Sequence, residues 1–148
     1  PGAPTAAGGG RPSLTRLRVL AHAVRGRERL SLVALRIATG RRHQVRAHLA
    51  HIGHPTVCDG KYTSTATFSS DRAWCPRNFL HRYRLVFLDG VGVRRVAQAP
   101  VPADLAAALV SLAPREDAVS PVQLRLWLAG RGDPIDWGGV DAEFARAR

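Results

Sequence analysis

The sequence predicts an α+β domain, a mostly antiparallel sheet with two to four helices packed on it. Three observations carry that expectation. Apolar and polar residues alternate at 13–24 and again at 79–88, the two-residue period of a half-buried strand. Apolar residues recur three or four apart at Val45, Leu49 and Ile52 and at Leu105, Leu109 and Leu112, the spacing of one helix face. Asp-Gly pairs at 59–60 and 89–90 mark turns between such segments. The chain has 148 residues, 45% of them hydrophobic. That suits one domain with its own core and argues against a wholly disordered chain.

Residues 1–12 are rich in Gly, Ala and Pro and read as a flexible linker. In 13–24, Leu17, Val19 and Ala21 share one face and Arg16 and Arg18 the other, as in a strand with one polar side. Residues 25–28 form a turn, and 30–37 are apolar on both sides, which predicts a second, more central strand of the same hairpin. Thr39-Gly40 ends it. Residues 41–52 then read as a helix, with Gly53 past its C-terminus and Pro55 stopping it. Residues 63–77 are rich in Ser, Thr and Arg and read as a surface loop. Residues 79–88 and 91–96 form strands around the Asp89-Gly90 turn, with Leu80, Tyr83 and Phe87 expected in the core. Helices follow at 102–112 and 121–129, and residues 130–148 show no clear pattern.

The net charge is +11, and it is unevenly spread. Residues 1–95 hold 17 basic and 4 acidic side chains, a net +13, whereas residues 96–148 net −2. A positive field of that size favours a polyanion, nucleic acid first. No stretch of about 18 apolar residues predicts a membrane-spanning helix. A long basic amphipathic helix for a membrane surface is also lacking, so no membrane partner is expected. Two cysteines do not make a disulfide framework; they suit a reducing, intracellular compartment, with cytosol and organelle equally open. The chain starts at Pro1 and contains no Met, which reads as a processed product or a piece of something longer.

The segment 39–62, TGRRHQVRAHLAHIGHPTVCDGKY, concentrates the chemistry. On a helix, Arg42 and Arg46 fall one turn apart on one face, and Gln44 and His48 form a neighbouring row. Arg41 and Arg42 fall at the helix start, where the dipole also attracts anions, a natural phosphate site. A plain solvated basic face is the alternative. His43, His48, His51 and His54 tempt a metal reading, and His48, His51 and Cys58 could supply three ligands. No second pair completes a tetrahedral set, so no metal site is predicted; a zinc protein built on these histidines stays as a third hypothesis. Asp59, followed by Gly60, reads as a turn former whose carboxylate caps local backbone donors.

Thr39-Gly40-Arg41-Arg42-His43-Gln44-Val45-Arg46-Ala47-His48-Leu49, then Ile52-Gly53-His54-Pro55 and Asp59 with Tyr62, closely resembles the signature of RluA-type RNA pseudouridine synthases. Phe79-Leu80-His81 with Leu85 and Phe87, and Ala99-Pro100 with the segment 102–109, resemble later parts of that family's pattern. The resemblance covers residues 13–112, the C-terminal portion of the catalytic domain, and leaves 113–148 as an extension. Departures from the pattern are Arg42 for Ser or Thr, Ala47 for Val, Cys58 for Gly and Arg82 for Ala.

The resemblance implies isomerisation of uridine to pseudouridine in ribosomal or transfer RNA, without cofactor or metal. It implies that Arg46 pairs with the family's nucleophilic Asp, and that Arg41, Arg42, His43, Gln44 and His48 surround the pocket mouth and hold RNA. That Asp belongs to a His-Arg-Leu-Asp motif upstream of the matching region. The nearest string here, His81-Arg82-Tyr83-Arg84, contains no Asp, so the missing half of the catalytic domain is an expected partner and this chain alone is expected to be inactive. The alternative is a non-catalytic RNA-binding or ribosome-associated module derived from such an enzyme.

Overall fold

The structure, a computed structural model, describes residues 12–37, 40–132 and 135–138. The linker expected at 1–12, apart from Pro12, and most of the segment 130–148 lie outside the described residues. Strand β1 (Thr15–Arg25) and strand β2 (Glu28–Ile37) form a hairpin. Gly26 stands at the first central position of its two-residue turn with φ 58°, a sign that costs a glycine nothing and that a type II′ turn requires there. Helix α1 (Gln44–His51) follows, then helix α2 (Thr65–Arg72), strands β3 (Arg84–Leu88) and β4 (Arg94–Gln98), helix α3 (Ala103–Val110), the two-residue strand β5 (Ala113–Pro114) and helix α4 (Ser120–Leu128). Among the described residues, four helices and antiparallel pairing match the α+β class.

The described residues fall into two compact units. One holds those of 1–17 and 35–80, the other those of 18–34 and 81–148. In the first, Leu49, Cys58 and Cys75 are buried together with three polar side chains, Gln44, Asp59 and Asp71. Helix α1 ends in a Schellman motif: Gly53 has φ 81°, its N–H donates to the Ala50 carbonyl at 3.0 Å, and the His54 N–H donates to Leu49 at 2.9 Å. The glycine and proline read from the sequence thus do what their chemistry allows.

The helix begins later than the periodicity predicts. Its N-cap is His43, in the left-handed region at φ 59°. Such a residue cannot continue a right-handed helix, so Arg41 and Arg42 precede α1 and do not share its face with Arg46. Of the expected apolar stripe, Leu49 is buried, Val45 is half-buried and Ile52 is exposed. The loop expected at 63–77 contains α2. Its start is capped by Ser64, whose hydroxyl accepts the Thr67 N–H at 3.1 Å, and its Asp71 is buried. Its polar sequence, TATFSSDR, carries no apolar stripe, which hid this helix.

In the second unit, β1 is the middle strand of the order β2-β1-β5, and β2 lies at the edge with only Ala34 buried. Residues 30–37 are therefore not central. The residues after α3 supply the other neighbour, Ala23 opposite Pro114 and Val24 opposite Ala113, a remote pairing that no local pattern announces. Ala21 and Ala23 face inward as alternation predicts, whereas Val19 is exposed. Leu105, Ala108 and Leu109 of α3 are buried, as are Leu124 and Trp127 of α4, which packs on α3. Ser120 fastens the start of α4: its hydroxyl donates to Asp117 at 2.8 Å and accepts the His22 N–H at 2.9 Å. Strands β3 and β4 pair antiparallel, Val86 opposite Val96. Phe87 and Leu80, expected in the core, are exposed, and Tyr83 is half-buried, edge-on to Trp127 at 4.9 Å.

Candidate functional site

The site is built on α1 and the turn that follows it, all in the first unit. Arg46, in the first turn of α1, donates from Nε to Asp59 Oδ2 at 2.7 Å and from Nη2 to Asp59 Oδ1 at 2.6 Å. This is the two-point geometry that a planar guanidinium makes with a carboxylate. The Asp59 side chain is fully buried and that of Arg46 is 23% exposed. Asp59 also accepts the Lys61 and Tyr62 N–H groups and the Thr56 hydroxyl, at 3.0, 3.2 and 3.1 Å. It therefore caps local backbone donors, as its position before Gly60 predicts. Its ion pair with Arg46, 13 residues away, is something the sequence pattern does not announce.

Burial by itself raises the pKa of a carboxylate such as Asp59. Here the Arg46 guanidinium, the Lys61 and Tyr62 amides and the Thr56 hydroxyl outweigh it and hold the group far below the usual carboxylate range. The same pairing raises the Arg46 pKa further. Both shifts favour the charged forms of the pair.

The Tyr62 ring lies beside this pair. The Arg46 guanidinium sits 5.4 Å and the Lys61 ammonium 5.5 Å from its centroid, within cation–π range. The His43 ring meets Tyr62 edge-on at 6.0 Å and 84°. Burial, then the charges of Arg46, Lys61 and Arg42, push the His43 pKa below its ordinary value. Arg46 and Lys61 set two positive charges against the Tyr62 ring and His43 meets its edge, a positive rim with Arg42 exposed next to it.

Two residues expected at the pocket mouth turn inward. Gln44 is 5% exposed, and its Nε2 donates to the Leu14 carbonyl at 3.0 Å and to Thr15 Oγ1 at 3.3 Å, while its Oε1 accepts the Arg41 N–H at 3.3 Å. Both ring nitrogens of His48 are within hydrogen-bond distance of hydroxyls, Nδ1 of Thr15 at 2.9 Å and Nε2 of Ser13 at 3.3 Å. These two side chains tie α1 to the start of β1. Arg41 donates from Nη2 to the Pro12 carbonyl at 2.9 Å. His51 and His54 are exposed. No group of three or more His, Cys, Asp or Glu side chains suited to a metal occurs among the described residues. Cys58 and Cys75 are free and buried, and burial raises both thiol pKa values.

A family model described as RNA pseudouridylate synthase matches residues 4–51. The chain is 37% identical over 98 residues to the uncharacterized RNA pseudouridine synthase YhcT of Bacillus subtilis, covering 66% of this chain and 30% of that protein. It is 36% identical over 106 residues to the ribosomal large subunit pseudouridine synthase D of Escherichia coli, covering 65% of this chain and 31% of that one. Among solved structures, human RNA pseudouridylate synthase domain containing 1 superposes with a TM-score of 0.60 at 32% identity, over 84% of this chain and 49% of the other. The fold is that of a pseudouridine synthase domain. In sequence and fold together, the chain is similar to RluA-type pseudouridine synthases. It spans about a third of the length of these curated relatives.

Proposed function

We propose that this chain supplies the arginine side of an RNA pseudouridine synthase active site, completed by a carboxylate from elsewhere in the enzyme. One observation carries the reading. Asp59 engages Arg46 through its Nε/Nη2 edge, and among the described residues nothing accepts from Nη1. A guanidinium has five N–H groups, so its Nη1/Nη2 edge remains for a second carboxylate. That edge belongs to the partly exposed member of the pair and lies in a positive rim, where a nucleophilic Asp stays ionised despite partial burial.

In the reaction, the uridine is turned out of its stack. Its N1–C1′ bond breaks, the base rotates, a C5–C1′ bond forms, the C5 proton leaves and N1 regains a proton. Arg46 holds the attacking carboxylate. Arg41, Arg42 and His43 meet phosphates and flanking bases. Gln44 and His48 serve this site by fixing α1 rather than by touching RNA. The substrate class is ribosomal or transfer RNA, and the two buried thiols fit an intracellular, reducing compartment.

The test is tritium release from in vitro ribosomal and transfer RNA transcripts labelled at uridine C5, using this chain within the full-length protein. Release that falls at least about 100-fold in Arg46→Ala supports the reading, since removing one partner of a buried ion pair costs about 3–5 kcal/mol. RNA binding without release assigns the chain instead to a non-catalytic RNA-binding module, the reading that its +13 field over residues 1–95 also suits.

A further inference from the structure

Asp59 has more partners than a turn needs. The Lys61 and Tyr62 amides suffice to close the turn, yet the carboxylate also takes the Thr56 hydroxyl and two donors from Arg46. Five donors exhaust the roughly four lone-pair positions of a carboxylate, so the group can neither rotate nor accept anything else. Its supports are themselves held. The Asn78 amide donates to Thr56 Oγ1 at 2.9 Å, and the Phe79 N–H donates to the Val57 carbonyl at 2.9 Å. Asp71 Oδ2 accepts the Cys58 N–H at 2.7 Å. A flexible arginine stem is thereby fixed at its far end by a rigid acceptor, and it is fixed by one chosen edge.

We infer that Asp59 is a positioning residue for the reaction: by gripping the Nε/Nη2 edge of Arg46 it presents the Nη1/Nη2 edge to the nucleophilic carboxylate. This rests on the function proposed above. It goes beyond it by giving the reaction a second, buried carboxylate that never touches RNA and acts only through the guanidinium. The two carboxylates share one cation because they occupy different edges of it. Asp59, desolvated and saturated, is the fixed member, and the incoming one is free to move.

The experiment uses the full-length protein and single-turnover tritium release, with RNA affinity measured separately by filter binding. The variants are Arg46→Lys, Asp59→Asn, the double variant and Thr56→Val. Asp59→Asn keeps an amide oxygen for the turn and loses the grip on Arg46. It should slow turnover about 100-fold, the cost of a small misplacement of a reacting group, and change the RNA Kd less than about threefold. The double variant should be no slower than Arg46→Lys alone, because both changes remove the same geometry. Wild-type turnover in Asp59→Asn, or losses that multiply in the double variant, overturns the positioning role and leaves the proposed function standing. Full turnover in Arg46→Lys overturns the proposed function and this inference with it. Should Asp59→Asn lose its cooperative melt, Thr56→Val decides. It removes one donor and keeps the charge, and a rate lower by about 3- to 10-fold at unchanged Kd is expected; an unchanged rate overturns the inference.

Discussion

The Asp71 carboxylate accepts the backbone N–H of Cys58 at 2.7 Å, with both residues buried. Cys58 has φ 58°, a left-handed conformation that a residue with a Cβ adopts at a cost, and it precedes Asp59 directly. The bond from α2 thus holds the strained step that aims Asp59 at Arg46. Glycine is the residue that the related pattern carries there. Cys58→Gly relieves strain of about 1–2 kcal/mol and loses a buried thiol of similar worth, so it should stay within about 1 kcal/mol of wild type. Cys58→Val should lose about 1–3 kcal/mol. Urea unfolding of the two variants checks the contrast; equal losses would show that burial, not backbone conformation, governs this position.

The Arg46–Asp59 pair predicts how stability depends on pH. The folded-state pKa of Asp59 is depressed below its ordinary 3.8, through Arg46, the turn amides and Thr56 acting against burial. A depressed acid stabilises the fold fully above its unfolded value and loses that contribution as pH falls toward the folded one. Stability should be flat in this respect from pH 7 to about 5 and fall below about 4. Urea midpoints measured from pH 7 down to 3 read the effect. The fall should be shallower in Asp59→Asn, and an unchanged slope would mean that other carboxylates set it.

Gln44 and His48 should behave as structural residues. Gln44→Ala removes a buried amide together with its bonds to Leu14, Thr15 and Arg41 and should cost about 1–3 kcal/mol. RNA affinity of the folded variant should change less than about twofold, since the lost bonds are internal. Chemical denaturation and filter binding on the same preparation separate the effects. A large affinity loss in a stable Gln44→Ala protein would restore Gln44 to the RNA surface.

Arg42 should behave in the opposite way. It is exposed, outside α1 and beside the positive rim. Arg42→Ala should leave stability within about 0.5 kcal/mol and lower the slope of log K against log salt by about 0.7–0.9, the signature of one lost phosphate contact. Titrations at several KCl concentrations measure it, and an unchanged slope removes Arg42 from the phosphate contacts.

Residue order by itself determined what depends on neighbours along the chain. The strands read at 13–24 and 30–37, the Gly53 end of α1, the Asp59 and Asp89 turns, the helices read at 102–112 and 121–129 and the positive first two-thirds are all local, and short-range sterics and hydrogen bonding set them. The motif around Arg46 was legible too, because a run of specific residue types at set spacing survives without coordinates. Tertiary structure alone decided who faces whom. It made Asp59 the partner of Arg46, sent Gln44 and His48 back to β1, seated β1 between β2 and β5, and turned a polar stretch into α2 around a buried Asp71. The physical reason is the same in each case. A polar side chain has no preferred face of its own, so its burial follows from whichever donor or acceptor the folded chain brings within about 3 Å, and sequence spacing does not encode that approach.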